Sequence, residues 1–304
     1  MTRSGRTTVV RGAAVAALCT ALLSGCASGP AIADLNLPAK DRANWVMPLD
    51  EYLFPSTDTI YSYALNLLVS ECMQEAGFQW PIMPESLDDT DYKSPMSMRT
   101  LEAAQTWGYH TVPSAERTAR IENFTRMNTL AQSQPGFDTV FTPCLEDVQA
   151  EHPVFGGATR SSQPASSSYW QTVEDAATTG PVKAAADAWR DCLDEAGYGG
   201  APDSPLDGMP TDEMRAQLGI PGYAPGVDGP PEPPLTQVEI ALATADVRCR
   251  ESSGWAQAQY DAQWDRQVEF IQANADRLSS DREKWLKDRQ VLLELIATYA
   301  PAQG

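Results

Sequence analysis

The chain has 304 residues, with 41 acidic against 22 basic side chains, a formal charge of −19, two histidines and 42% hydrophobic residues. The length allows one or two domains with a buried core, and the apolar content excludes global disorder. The acidic excess argues against nucleic acid and against anionic lipid headgroups as surface partners.

Residues 1–25 read as a signal peptide. Arg3, Arg6 and Arg11 form a basic n-region, and Gly12 to Leu23 form an apolar stretch too short for a permanent span. No two arginines are adjacent, which points to the general secretory route. Leu23-Ser24-Gly25-Cys26 resembles the bacterial lipobox. That resemblance implies cleavage before Cys26, a diacylglyceryl thioether on its sulfur and a stable anchor of two or more acyl chains. The mature protein is then expected on the outer face of the cell membrane. It keeps 19 basic and 41 acidic side chains, a charge of −22.

Residues 26–55 are read as lipid anchor and tether, rich in Pro, Ala and Asp. A first helical half, 56–152, opens with Ser56 as N-cap, and Tyr61, Ala64, Leu65, Leu68 and Cys72 share one helix face. Gly77 stands where a left-handed C′ residue is wanted. A second helix is predicted from Ser114 through Ile121, Phe124, Met127 and Leu130. Residues 153–180 carry Gly156-Gly157, Ser161-Ser162 and Ser166-Ser167-Ser168 and read as a linker.

The second half, 181–304, begins with Pro181 at the start of a helix whose stripe is Val182, Ala185, Trp189, Cys192 and Ala196. Residues 199–234 are dense in Pro and Gly and are expected to be a disordered loop, interrupted by a short helix near Asp212–Leu218. Thr236 to Glu239 form a capping box, with Leu235 and Ile240 as hydrophobic staple and Val238, Leu242, Ala245 and Cys249 on one face. From Trp255 a long amphipathic helix shows Trp264, Ile271, Leu278, Trp285 and Leu292 at seven-residue intervals, and it is expected to pack back on the body. Arg282 and Arg289 interrupt the accompanying row and exclude a clean two-stranded coiled coil. A second capping box at Ser280–Glu283 predicts a break there. Sustained period-two alternation is absent, so the predicted fold class is mainly α: two related disulfide-stapled helical halves plus a long C-terminal amphipathic helix.

The relation between halves rests on an ungapped repeat. Glu71-Cys72-Met73-Gln74-Glu75-Ala76-Gly77-Phe78 aligns with Asp191-Cys192-Leu193-Asp194-Glu195-Ala196-Gly197-Tyr198. Thr100, Glu102 and Gly108 echo Thr211, Glu213 and Gly219. Cys19 leaves with the signal and Cys26 with the lipid, so Cys72, Cys144, Cys192 and Cys249 remain for disulfides in an exported protein. Two helices with a cysteine in each apolar stripe favour Cys192–Cys249, leaving Cys72–Cys144. The between-half pairing of Cys72 with Cys192 stays open.

Trp189-Arg190-Asp191-Cys192-Leu193 through Gly197-Tyr198, followed by Ala245-Asp246-Val247-Arg248-Cys249, resembles exported actinobacterial proteins with the pattern W-x-x-C-M-x-x-x-G-Y and then A-D-x-x-C. The first half is similar through Cys72 to Phe78, Trp107-Gly108-Tyr109 and Cys144. Leu193 replaces the usual Met, and Pro143 stands where a Gly is commoner. The resemblance implies the within-half disulfides and supplies no catalytic residue.

Chemistry-bearing motifs are few. The sequence has no G-x-S-x-G, no H-E-x-x-H and no phosphate-binding glycine loop, so no catalytic residue, metal or cofactor is assigned. His110 and His152 read as surface or loop histidines. Asp88, Asp89 and Asp91 lack the glycine and terminal glutamate of a calcium loop. Candidate ligand contacts are Glu75 and Glu195, acids in the last turn of their helices where the dipole disfavours them, and Trp80, Trp107 and Tyr109. Trp45 and Trp170 also sit in loop-like contexts. The expected function is a non-enzymatic binding or scaffold lipoprotein of the cell envelope. Its partner would be a cationic peptide or the basic outer part of a membrane-protein complex. The alternatives are a solute- or peptide-binding lipoprotein of a transporter and, third, an acid-pair hydrolase.

Overall fold

The computed structural model describes residues 37–53, 57–80, 82, 100–110, 115–156, 164–221 and 234–300. The signal, Cys26, Ser56, the Asp88–Asp91 cluster and residues 222–233 lie outside these. Among the described residues there are nine α-helices and no strand, and the fold is mainly α with two disulfides and a long C-terminal helix.

In chain order the helices are α1 (Thr57–Glu75), α2 (Leu101–Trp107), α3 (Ala115–Ser133), α4 (Phe137–Glu151), α5 (Pro164–Ala177), α6 (Gly180–Glu195), α7 (Asp212–Leu218), α8 (Gln237–Ser252) and α9 (Trp255–Tyr299). Helix α9 is the spine. Its 45 residues span about 65 Å at the α-helical rise. Its first turns pack with α6 and α8, its middle with α5 and the segment 37–53, and its end with α1. The heptad residues Trp264, Ile271, Leu278 and Leu292 are buried along it, as expected.

The predicted break at Ser280 is not there. The one non-helical residue is Asn274 (φ −129°, ψ 17°), whose side-chain amide donates to the Phe270 carbonyl at 2.8 Å. A short amide side chain that competes for the i−4 carbonyl bends a helix where a capping box in mid-helix need not.

The disulfides join Cys72 to Cys144 and Cys192 to Cys249, with Cα separations of 5.8 and 5.6 Å, so each half is stapled within itself. The repeat folds into the same helix terminus twice. The Phe78 amide donates to the Met73 carbonyl and Tyr198 to Leu193, at 2.9 and 2.8 Å, and both glycines, Gly77 and Gly197, take positive φ. This is a Schellman end: Met73 and Leu193 are buried at its base, and the glycine accepts the backbone turn. The fainter echo also folds alike. Thr100 and Thr211 cap seven-residue helices that end at Gly108 and Gly219.

Three segments differ from their sequence reading. The linker 153–180 contains α5, whose Ala165, Tyr169, Val173 and Ala176 form a buried stripe against α9. Its serines sit in the first turns, and the 3.6-residue spacing of its apolar positions outweighs their composition. Residues 199–221 of the loop expected to be disordered are folded, with Met209, Met214 and Ile220 packed on Trp189 and Leu193. The lead-in is docked: Met47 and Leu49 are fully buried against α9. The halves also interlock, since α2 of the first packs on α8 of the second.

Candidate functional site

The best-defined polar site lies where α2, α6, α8 and the start of α9 meet. It follows from the face that α8 buries. The apolar stripe reading placed Val238 inside; instead Val238 is exposed, and Glu239, Leu242, Ala243, Asp246, Cys249 and Arg250 are buried. The rotation puts three charged side chains into the interior, where each needs partners.

Asp246, 1% exposed, has them. Arg250 donates from Nε to Oδ1 at 2.6 Å and from Nη2 to Oδ2 at 2.9 Å. The Trp189 indole donates to Oδ1 at 2.9 Å and the Tyr109 hydroxyl to Oδ2 at 3.3 Å. Four donors saturate the carboxylate. Arg250, 4% exposed, also donates from Nη2 to the Pro205 carbonyl at 3.1 Å, and its guanidinium lies 5.7 Å from the Trp189 ring centroid and 5.3 Å from that of Trp255. The planar cation is thus clamped by a bidentate acid and stacked aromatic walls.

Glu239 anchors α2. The capping box is only half formed: Thr236 Oγ1 accepts from the Glu239 amide, while the Glu239 carboxylate turns to α2. It accepts from the Tyr109 amide at 3.1 Å and sits 3.3 Å from His110 Nε2. His110, read from sequence as a surface or loop histidine, has only 14% of its side chain exposed. Gly108 permits the approach. A Cβ there would stand 2.9 Å from Leu235 Cδ1 and 3.1 Å from Glu239 Oε1.

Beside this network opens a cleft of about 320 Å³. Leu101 of α2 forms one wall, and Val247, Arg250 and Glu251 of α8 with Trp255 and Ala256 of α9 form the floor. The lead-in closes the far side with Arg42, Ala43 and Trp45. Trp45 is the one non-glycine residue with positive φ (50°) among the described residues, a conformation that costs about 1 kcal/mol or more. It is held there by its indole N–H on Gln263 Oε1 at 3.1 Å and by edge-on contact with Tyr260.

Gln263 belongs to a buried row on α9, with Gln259 and Gln267, all fully enclosed. Gln267 accepts from the Leu49 amide and donates to Thr172 Oγ1, and Gln259 donates to the Val173 carbonyl. The row fastens both the lead-in and α5 to the spine. Tyr260 adds a hydroxyl that accepts from the Asp41 amide and donates to the Val46 carbonyl. At the end of the lead-in, burial pushes the Asp50 carboxyl up to about 6, although it accepts from the Met47 amide at 2.7 Å.

The sequence candidates fare unevenly. Tyr109 joins the site, and Trp107 stands half-exposed at the end of α2. Trp80 does not face a ligand space: it is buried against Phe137 and Phe141, with centroids 5.4 and 5.2 Å away, because the Schellman turn folds the chain after Phe78 back onto α4. Glu75 and Glu195 are exposed on the two equivalent helix ends, and the structure brings neither to the cleft. Trp45, named from sequence among the loop tryptophans, lines the cleft, while Glu239, Asp246 and Arg250 were missed. The available signal was the i, i+4 Asp246–Arg250 pair flanking Cys249, a charge pair set into an apolar stripe.

The fold and site define a helical, disulfide-stapled body with a pre-formed cleft beside a buried Arg–Asp pair. The chain matches no protein-family model, no curated protein and no solved structure.

Proposed function

We propose that the protein is a lipid-anchored, extracytoplasmic binding or scaffold protein without catalytic activity, and that its partner at the membrane surface is basic. The observation that carries the anchoring is Leu23-Ser24-Gly25-Cys26 followed, from Leu37 on, by a lead-in packed on the spine. Ten residues separate Cys26 from Leu37, a reach of at most about 36 Å, so an anchor at Cys26 would hold the body close to the bilayer. Two disulfides suit an oxidising compartment. The charge of −19 favours encounter with cationic partners and disfavours anionic ones. Among the described residues no strand is present, which supports the scaffold reading over an α/β solute-binding one.

Two measurements test the proposal. Metabolic labelling with a fatty acid, followed by fractionation, is expected to place the labelled wild type in the membrane, with Cys26→Ser unlabelled and in the soluble fraction. Label retained by Cys26→Ser would refute the anchor. Calorimetric titration with basic peptides is expected to show binding that weakens with salt, and salt-independent or absent binding would refute the partner class.

A further inference from the structure

We infer that the cleft between α2, α8 and the lead-in takes one apolar side chain of a basic peptide segment together with the neighbouring backbone carbonyl, which accepts from Arg250 Nη1. This rests on the basic-partner reading above and supplies its site.

Arg250 is the reason. A guanidinium has five N–H donors. Nε and Nη2 are engaged by Asp246 and Pro205, while Nη1 has no acceptor among the described residues. The side chain is only 5% exposed, and Arg250 lines the cleft. It cannot turn elsewhere, because the bidentate carboxylate and the two indole rings fix its plane. A fixed, partly satisfied donor in a cleft is pre-organised for an acceptor.

The acceptor is a neutral carbonyl rather than an anion. Asp246 already balances Arg250, and Glu251 balances Arg42 at 2.8 Å, so the cleft offers hydrogen-bond donors without net positive charge. The acidic body as a whole repels anions and draws in cationic flanks. The remaining lining is mostly apolar: Trp45, Leu101, Val247 and Ala256, with the polar exceptions of Thr100 and the unpartnered indole N–H of Trp255; Leu101 keeps 39% of its surface uncovered. A volume of about 320 Å³ equals the space of roughly ten waters, enough for a side chain and its peptide unit but too small for a folded element.

The test is calorimetric titration of the full exported protein in detergent with three probes: acetyl-Lys-Leu-Lys-Lys amide, its Gly analogue acetyl-Lys-Gly-Lys-Lys amide, and acetyl-Glu-Leu-Glu-Glu amide. The Leu probe is expected to bind about tenfold tighter than the Gly probe, the gain from enclosing one aliphatic side chain. Ala43→Trp, at an exposed position on the rim, fills the mouth without touching the buried pair and is expected to abolish that tenfold difference. Arg250→Lys, checked for an intact melting transition, keeps the charge on Asp246 but loses the planar fork and is expected to weaken the Leu probe about fivefold. Equal binding of the Leu and Gly probes, or a Leu preference that survives Ala43→Trp, overturns the cleft as the site while leaving the basic-partner reading standing. An unchanged Leu-probe Kd in folded Arg250→Lys overturns the carbonyl contact. Tighter binding of the Glu probe, or no binding by any probe, overturns both.

Discussion

Replacing Asp246 by Asn is the most discriminating perturbation of the core. The two side chains have nearly the same shape, so packing is preserved and the change is electrostatic. The carboxylate accepts from Arg250 twice, from Trp189 and from Tyr109. An amide retains one acceptor and turns a pair of N–H donors toward groups that also donate. It also leaves the Arg250 cation enclosed without a counter-charge, at a cost of about 3–5 kcal/mol. Tyr109→Phe, by contrast, removes one 3.3 Å bond from a carboxylate that keeps three others, and is expected to cost about 0.5–1 kcal/mol. Urea unfolding of the oxidised protein, followed by tryptophan fluorescence, reads both. With a slope of about 3 kcal/mol/M, Asp246→Asn should lower the midpoint by about 1 M or more and Tyr109→Phe by about 0.3 M or less. The double change Asp246→Leu with Arg250→Met removes both charges and is expected to cost less than Asp246→Asn alone. If Asp246→Asn shifted the midpoint no more than Tyr109→Phe, the carboxylate would not be what compensates Arg250, and the account of the site would be wrong.

Three further outcomes follow from the same geometry. Cys192→Ser with Cys249→Ser opens a loop of 57 residues and is expected to cost about 4 kcal/mol in the chain-entropy model, read as a lower thermal midpoint under non-reducing conditions. Gly108→Ala is expected to destabilise by about 2 kcal/mol and Gly77→Ala by about 1 kcal/mol in the same melts. Both have positive φ, but only Gly108 has neighbours within Cβ contact, so equal losses would contradict the close approach of α2 to α8. Asp50 sets a pH dependence. Its carboxyl is raised to about 6 in the fold, so its contribution to stability is fully present below its unfolded value near 4 and is lost as pH rises through 6. Relative to Asp50→Asn, the wild type should lose about 1–2 kcal/mol between pH 4 and 7, discounted for a half-buried group; parallel stability curves across that window would rule the burial effect out.

The helix ends of the repeat and the stripes that carry the four cysteines were legible in the sequence because caps, glycines and apolar spacing are local, whereas α5 was not. The repeated octet, Glu71–Phe78 and Asp191–Tyr198, predicts two helix ends, and both form the same glycine-terminated turn. Helices form over Ala115–Ser133 and Asp212–Leu218, close to where the sequence places them, although Ile121 and Phe124 of the first are exposed. The favoured cysteine pairs, one per half, are the ones formed, because each pair of helices turns its cysteines toward the other.

What only the tertiary structure decided is which face of each helix is buried and which helices meet. Helix α8 has an apolar stripe through Val238, yet it rotates to enclose Glu239, Asp246 and Arg250, since α2 and α6 bring Tyr109, His110 and Trp189 to satisfy them. Those partners are 57 to 137 residues from Asp246, or 130 from Glu239, beyond the reach of any periodicity. The same holds for the lead-in and α5, whose polar composition suggested tether and linker until three buried glutamines of α9 gave their backbone and side-chain groups somewhere to bond. A local pattern determines where a helix starts and stops; burial of a charge or an amide is decided by the partner that arrives from elsewhere in the chain.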